Sequence, residues 1–220
     1  GKSVALETII GGLIERYPQN ELHIAIIDPK QTELIDFERA AQIRENCLGA
    51  DIGSSSQDAV ELLERAVDEM ERRLTLFRTL SDKLRADGRR SVKHIDGFNE
   101  ASSKKLPKLL IVLDEYADLV SNSNDRKLIE ELLAKVAQKA RSVGIHLIVA
   151  TQKPIVEVLS TVVKGNLPSV IALRVNTNSD SRVVLDEPGA ERLLGKGDSI
   201  LKVGGKKIRF QIAKYDGAFE

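Results

Sequence analysis

Runs of apolar residues alternate with amphipathic stretches along the chain, and the alternation predicts its elements. Leu6, Ile9, Ile10, Leu13 and Ile14 share one face of a helix from Lys2 to about Tyr17. Leu22–Ile27 is a short apolar run stopped by Asp28-Pro29. Proline has no N–H to give a ladder, so the run reads as a buried strand. From about Gln57 to Leu84, Val60, Leu63, Val67, Met70, Leu74, Phe77 and Leu84 recur at helical steps, with charge on the opposite face. Arg85 to Lys108 is polar and basic, carries Gly88 and Gly97, and reads as a flexible loop.

Three further strands are expected at Leu109–Leu113, His146–Ala150 and Val170–Val175, with helices near Asp125–Val143 and Ile155–Val163 between them. Strands rich in Val, Ile and Leu joined by helices indicate a parallel sheet covered on both faces. At the end, Ser199–Val203 and Lys207–Ile212 flank Gly204-Gly205, which reads as a β-hairpin on the edge of that sheet. With 220 residues, no internal repeat and no composition break, the chain is expected to form one α/β domain.

Composition narrows the chemistry. Aromatic residues are 4% of the chain and Trp is absent, which argues against a base-stacking platform for single strands. Lys plus Arg equals Asp plus Glu at 33 each, so any nucleic-acid contact must come from a local basic patch. The lone Cys47 rules out an internal disulfide and suits a reducing cytoplasm. No apolar run approaches the length of a membrane span, so no membrane contact is expected from this segment itself, although a tether to the inner face of the cell membrane could lie outside it.

Gly1-Lys2-Ser3 opening a helix is the second half of a GxxxxGK[ST] phosphate loop. The N–H groups at such a helix start, here those of Gly1 to Val4, face phosphate with the helix dipole behind them. Lys2 would neutralise β- and γ-phosphates, and the Ser3 hydroxyl would bind Mg²⁺. The first glycine and the strand that feeds the loop are expected upstream of Gly1. The run Leu109 to Asp114-Glu115 is a buried strand ending in two carboxylates. Asp114 would support the Mg²⁺ shell, and Glu115 would orient the attacking water. Gln152, after the strand His146–Ala150, can reach the γ-phosphate region from a neighbouring strand end.

From Asp114-Glu-Tyr-Ala-Asp118-Leu onward the sequence resembles the FtsK/SpoIIIE family of DNA translocases, within the wider HerA–FtsK group of P-loop motors. Ala137-Gln-Lys-Ala-Arg141, Gly144-Ile-His146-Leu, Ala150-Thr-Gln152-Lys-Pro154, Lys164-Gly-Asn166-Leu-Pro168, Asp180-Ser-Arg182 and Gly189-Ala-Glu191 through Gly197-Asp198 follow its pattern in order. Upstream, Asp28-Pro-Lys30, Glu69-Met-Glu-Arg72-Arg73 and Gly97-Phe-Asn-Glu100 also fit, and Tyr116 stands where Phe is common. The resemblance implies a RecA-like ATPase using ATP and Mg²⁺, built as a homo-hexamer around double-stranded DNA, with a neighbour's arginine completing each site. It adds Asp28, Gly189 and Ala190 to the nucleotide-binding set. It offers Arg72 or Arg73 as the arginine acting in trans, and Arg141 and Arg182 in cis or at the subunit interface. DNA contacts are expected from Arg89, Arg90, Lys93, Lys104 and Lys105, or from the Lys153–Lys164 region. A protein-secretion ATPase or conjugation coupling protein is the alternative, because its ATP site would be nearly the same.

Overall fold

The computed structural model describes residues 1–32, 34–49, 51–121 and 124–217. In chain order the elements are α1 (Lys2–Arg16), β1 (Leu22–Ile27), a 3₁₀ turn (Ile35–Arg39), α2 (Ala41–Arg44), α3 (Ser56–Ala86), α4 (Ile95–Ala101) and β2 (Lys108–Leu113). There follow α5 (Tyr116–Val120), α6 (Arg126–Lys139), a 3₁₀ turn (Ala140–Val143), β3 (Ile145–Val149), α7 (Thr161–Asn166), β4 (Ser169–Ala172), α8 (Asn178–Leu185), a 3₁₀ turn (Ala190–Arg192), β5 (Asp198–Val203) and β6 (Lys206–Gln211).

The first three strands form a parallel sheet in the order β1-β2-β3, with Ala25 opposite Ile111 and Ile111 opposite Leu147. The strand pleat then sorts side chains by parity. Ala25, Ile27, Leu109, Ile111 and Leu113 point to one face, where the buried residues of α3, α5 and α6 cover them. Ile24, Ile26, Leu110 and Val112 point to the other, against Leu6 and Ile10 of α1 and Phe37 and Ile43 of the β1–α3 connection. Both faces are dry, as the uninterrupted apolar runs require.

Helix α3 starts with a capping box: the Ser55 hydroxyl accepts from the Asp58 N–H, and the Asp58 carboxylate accepts from the Ser55 N–H. At 31 residues it is about 46 Å long, whereas a six-residue strand spans only about 20 Å. Its C-terminal turns therefore overrun the sheet. There the expected loop over 85–108 contains α4, because Ile95 and Phe98 lie one helical turn apart and both bury. Phe98 stacks on Phe77 at 4.9 Å.

Arg73 is fully buried in the middle of α3. Its Nε donates to Glu69, and its Nη1 donates to the carbonyls of Pro107 and Val143 at 2.8 and 2.9 Å. Those carbonyls lie just before β2 and β3, so one side chain ties the helix to the entry ends of two strands. Burial opposes ionisation of Glu69, but hydrogen bonds from Arg72 and Arg73 outweigh it and hold its carboxyl below the usual range.

Two expectations need correction. The strand at 169–172 does not join the parallel sheet, and the hairpin is not on that sheet's edge. Instead β4 pairs antiparallel with β5, and β5 with β6, in a separate sheet ordered β4-β5-β6. Apolar content shows that a strand is buried but not which strand it pairs with. Here Val170, Ala172 and Ile200 close a small core of their own with Leu185, Ala190 and Leu193 around α8. The helix expected at Ile155–Val163 begins later, at Thr161, where the Ser160 side chain caps it.

Three outcomes follow from this packing. Arg73→Ala should lower unfolding free energy by about 3–5 kcal/mol, because the carbonyls of Pro107 and Val143 lose their donor and Glu69 keeps only the half-exposed Arg72; Arg72→Ala, at the exposed end of the same cluster, should cost under about 1 kcal/mol in urea titrations. The Tyr116 hydroxyl is buried with no hydrogen-bond partner among the described residues, so Tyr116→Phe should match the parent or exceed it by about 1 kcal/mol in the same assay. Asp198, gripped by Arg209 and bonded to the Leu194 N–H, is held down at about 2. The stabilisation it gives is complete above its ordinary value of 3.8 and is lost as pH falls toward about 2. Hydrogen exchange at Leu194 should therefore accelerate across that window, and Asp198→Asn should remove the acid dependence.

Candidate nucleotide site

Parallel strands all end on one side of their sheet, and polar residues cluster there. Beyond β1 lies Asp28, beyond β2 Asp114 and Glu115, and beyond β3 Thr151 and Gln152. Backbone bonds lock these ends together: Asp114 N–H to Ile27, Ala150 N–H to Leu113, and Tyr116 N–H to Ala150. Asp28, Asp114 and Glu115 are almost completely buried.

The start of α1 meets this cluster. Lys2 Nζ donates to Asp114 Oδ1 and lies 3.7 Å from Glu115 Oε2. Gly1 gives α1 no side-chain cap, and no acidic residue lies in its first turn, so the positive end of the helix dipole points toward the site. Ser3 lies beside Lys2 on the same cleft wall. Val4, one position on, is half-buried in the first turn.

Glu115 adopts left-handed backbone geometry (φ 46°, ψ 59°), which costs a non-glycine residue about 1 kcal/mol or more. Its carboxylate is crowded. Thr151 Oγ1 donates to Oε1 at 2.9 Å, the Gln152 N–H reaches both oxygens at 3.1 and 3.2 Å, and Lys30 Nζ lies 3.8 Å from Oε2. Asp28 organises the turn that carries Lys30, accepting from the Lys30 and Leu34 N–H groups. Lys30 and Thr151 were not expected as site residues. Their sequence signals are position, just after strand ends, and inclusion in the stretches Asp28-Pro-Lys30 and Ala150-Thr-Gln152 that follow the family pattern.

A cleft of about 1180 Å³ opens from this cluster between the two sheets. One wall is α1 from Gly1 to Ile9, another is β3 with Thr151 and Gln152, and the far wall is β4 with the Gly195–Asp198 turn. Lys2, Lys164, Arg174, Lys196 and Lys202 line it against only two acids, Asp186 and Asp198. Asp186 is already held by hydrogen bonds from Lys164 and Lys202, which keep its carboxyl below the usual range. The wall therefore suits a polyanion. Among the described residues no strand pairs with the free side of β3 or of β4, and both line the cleft.

The structure thus brings Gly1, Lys2, Ser3, Gln152, Asp114 and Glu115 together, with Asp28 behind them. It does not bring the four arginines there. Arg73 is spent at the opposite end of the sheet, so a reach into a neighbour falls to the half-exposed Arg72, which pairs with Glu69. Arg141 is exposed on the turn entering β3, and Arg182 is exposed on α8, bonded to Asn178. Gly189 and Ala190 are not on the cleft wall; Ala190 is buried in the small core and donates its N–H to the Ser181 hydroxyl. Among the described residues, no cluster of three or more His, Cys, Asp or Glu could hold a metal unaided. No described helix is long and apolar enough to cross a membrane.

Residues 1–156 match the FtsK/SpoIIIE family. The DNA translocase SftA of Bacillus subtilis (strain 168) is 39% identical over 219 residues, covering 96% of this chain and 21% of that protein. The DNA translocase FtsK of Listeria monocytogenes is 38% identical over 209 residues, covering 94% of this chain and 27% of that protein. The chain thus spans about a quarter of the length of these relatives. Among solved structures, the pCW3 conjugation coupling protein TcpA, determined with ATPγS, superposes with a TM-score of 0.76 at 26% identity, covering 96% of this chain and 56% of that one. The cytoplasmic domain of the Type VII secretion ATPase EccC of Thermomonospora curvata gives 0.70 at 26% identity, covering all of this chain and 25% of that one. The strand-end carboxylates, the lysine at the helix start and this shared fold have one source: the chain belongs to the FtsK/SpoIIIE family.

Proposed function

We propose that this chain is the ATP-hydrolysing core of a ring-forming motor that moves along double-stranded DNA. One observation carries the reading: Lys2, at an uncapped helix start, meets Asp114 and Glu115 at the end of a buried strand. Gly1 to Val4 would hold phosphate through their N–H groups, and Lys2 would leave Asp114 for the β- and γ-phosphates. Ser3 and Asp114 fit Mg²⁺, being a hydroxyl and a carboxylate beside that phosphate site; the ion would neutralise charge on the phosphates. Glu115 would orient water, and Gln152 would report on the γ-phosphate. The unpaired edges of β3 and β4 fit one more strand between them.

In a homo-hexamer, Arg72 would complete a neighbour's site, while Arg141, Arg182 and the loop bearing Gly189 and Ala190 would belong to subunit contacts. Arg89, Arg90, Lys93, Lys104 and Lys105 are all exposed around α4 and supply the local basic patch that a neutral chain needs for phosphate backbones. Lys153, in the second candidate region, is exposed but paired with Asp118. The domain would work on the cytoplasmic side, tethered or not by segments outside this chain. The superpositions on TcpA and EccC support a second reading, in which the same ATP site serves conjugative coupling or protein export.

In the full-length protein, duplex DNA should stimulate ATP hydrolysis several-fold, and the stimulation should fall steeply with salt. An unchanged rate with duplex, alongside stimulation by an export substrate, would select the second reading. Glu115→Gln should keep nucleotide affinity while turnover falls about 100-fold or more. Turnover near the parent's would take the water-orienting role from Glu115.

A further inference from the structure

Glu115 caps the start of α5 in a strained left-handed conformation, which persists only where the surrounding contacts hold it. The side chain must be aimed by what it touches. The two oxygens are treated differently. Oε1 receives the Thr151 hydroxyl at 2.9 Å and the Gln152 N–H at 3.1 Å, while Oε2 faces Lys2 and Lys30 at 3.7 and 3.8 Å. Oε2 is therefore the oxygen on the phosphate side. The Gln152 N–H, at 3.2 Å from Oε2, is shared across the carboxylate and does not choose between its oxygens. Among the hydrogen-bond donors to this carboxylate in the described residues, the Thr151 hydroxyl is the one that does, while the two lysines favour Oε2 by charge.

That hydroxyl is itself oriented. Thr151 Oγ1 accepts the Lys153 N–H at 3.1 Å, which occupies a lone pair and leaves its proton for Glu115. Lys153 Nζ in turn reaches Asp118 on α5 at 3.0 Å, so the loop after β3 is fastened to the helix that Glu115 begins. A hydrogen bond to an ionised acceptor is among the stronger kinds, and here it is reinforced at both ends.

We propose that Thr151 is a positioning residue: its hydroxyl fixes Oε1 of Glu115 so that Oε2 is presented toward the phosphate side of the site. This rests on the ATPase reading above. Thr151 touches neither nucleotide nor water in this role and acts only through Glu115. Its loss should therefore lower turnover without weakening nucleotide binding. Thr151→Val keeps the shape and removes the donor, whereas Thr151→Ser keeps the donor.

The test uses the full-length protein, with kcat from steady-state hydrolysis of MgATP and Kd from titration with a fluorescent ATP analogue. Thr151→Val should reduce kcat about tenfold, the effect of one charge-assisted orienting bond, with Kd within about twofold of the parent. Thr151→Ser should return kcat to within about threefold of the parent. A loss under about threefold in Thr151→Val overturns the proposal, as does a Thr151→Ser variant no better than the valine, or a parallel loss of affinity. Crystal structures of the parent and Thr151→Val give a readout independent of turnover. The carboxylate of Glu115 should swing away from Gln152 N in the valine variant, and an unmoved carboxylate overturns the proposal. If the parent protein itself shows no hydrolysis, the ATPase reading is what fails, and these structures alone decide the position of Glu115.

Discussion

Three parallel strands deliver their first polar residues to one edge of the sheet, and here most of those residues are acids. Asp28, Asp114 and Glu115 are buried side by side at that edge. Burying carboxylates without partners costs several kcal/mol each. The protein meets this with donors of three kinds: backbone N–H groups on Asp28, the Lys2 ammonium on Asp114, and a hydroxyl, an N–H and two lysines around Glu115. Among the described residues, Lys2 is the one cation placed to answer two of the acids at once. The position of α1 against the sheet, and so the location of its uncapped start, is bound up with that pairing.

The opposite edge poses the complementary problem. Strand entries there leave carbonyls pointing into a region crossed by a helix longer than the sheet. Arg73 satisfies the carbonyls of Pro107 and Val143 and is neutralised by Glu69 one turn back. This fixes the heights at which β2 and β3 enter, and because the strands are short and in register, it also fixes where they leave. Arg73 is thus coupled to the site through strand register while sitting at the far end of the same strands.

Much of this was legible in the sequence. Leu22–Ile27 and Leu109–Leu113 read as buried strands, and their polar terminators fall where the structure gathers Asp28, Asp114 and Glu115. The heptad-like spacing in α3 placed its boundaries within a residue or two. Other features were not legible, for physical reasons. Apolar content at 169–172 is the same whether the strand pairs parallel with β3 or antiparallel with β5, since pairing is set by neighbours distant in sequence. Arg72 and Arg73 are chemically identical, and only helical phase separates them: the stripe through Met70, Phe77 and Leu84 carries position 73 inward and leaves 72 at the surface. Read with that phase, the sequence would have shown Arg73 as a buried brace. The helix at 95–101 was hidden by the glycines and lysines around two apolar anchors.

The separation of the sheets gives the site its character. Were β3 and β4 hydrogen-bonded, the cleft would close and Lys2, Ser3 and Gln152 would lose their common opening. With the edges unpaired, the loop after β3 is held by side chains, through Thr151 to Glu115 and through Lys153 to Asp118. A strand inserted between β3 and β4 would bond to the edge that leads directly into Thr151. Completion of the sheet and orientation of the Glu115 carboxylate would then be linked through one short segment, residues 150–153. Strain at Glu115 makes that linkage effective, because a side chain whose backbone conformation is costly is positioned by its contacts more than by its own preferences.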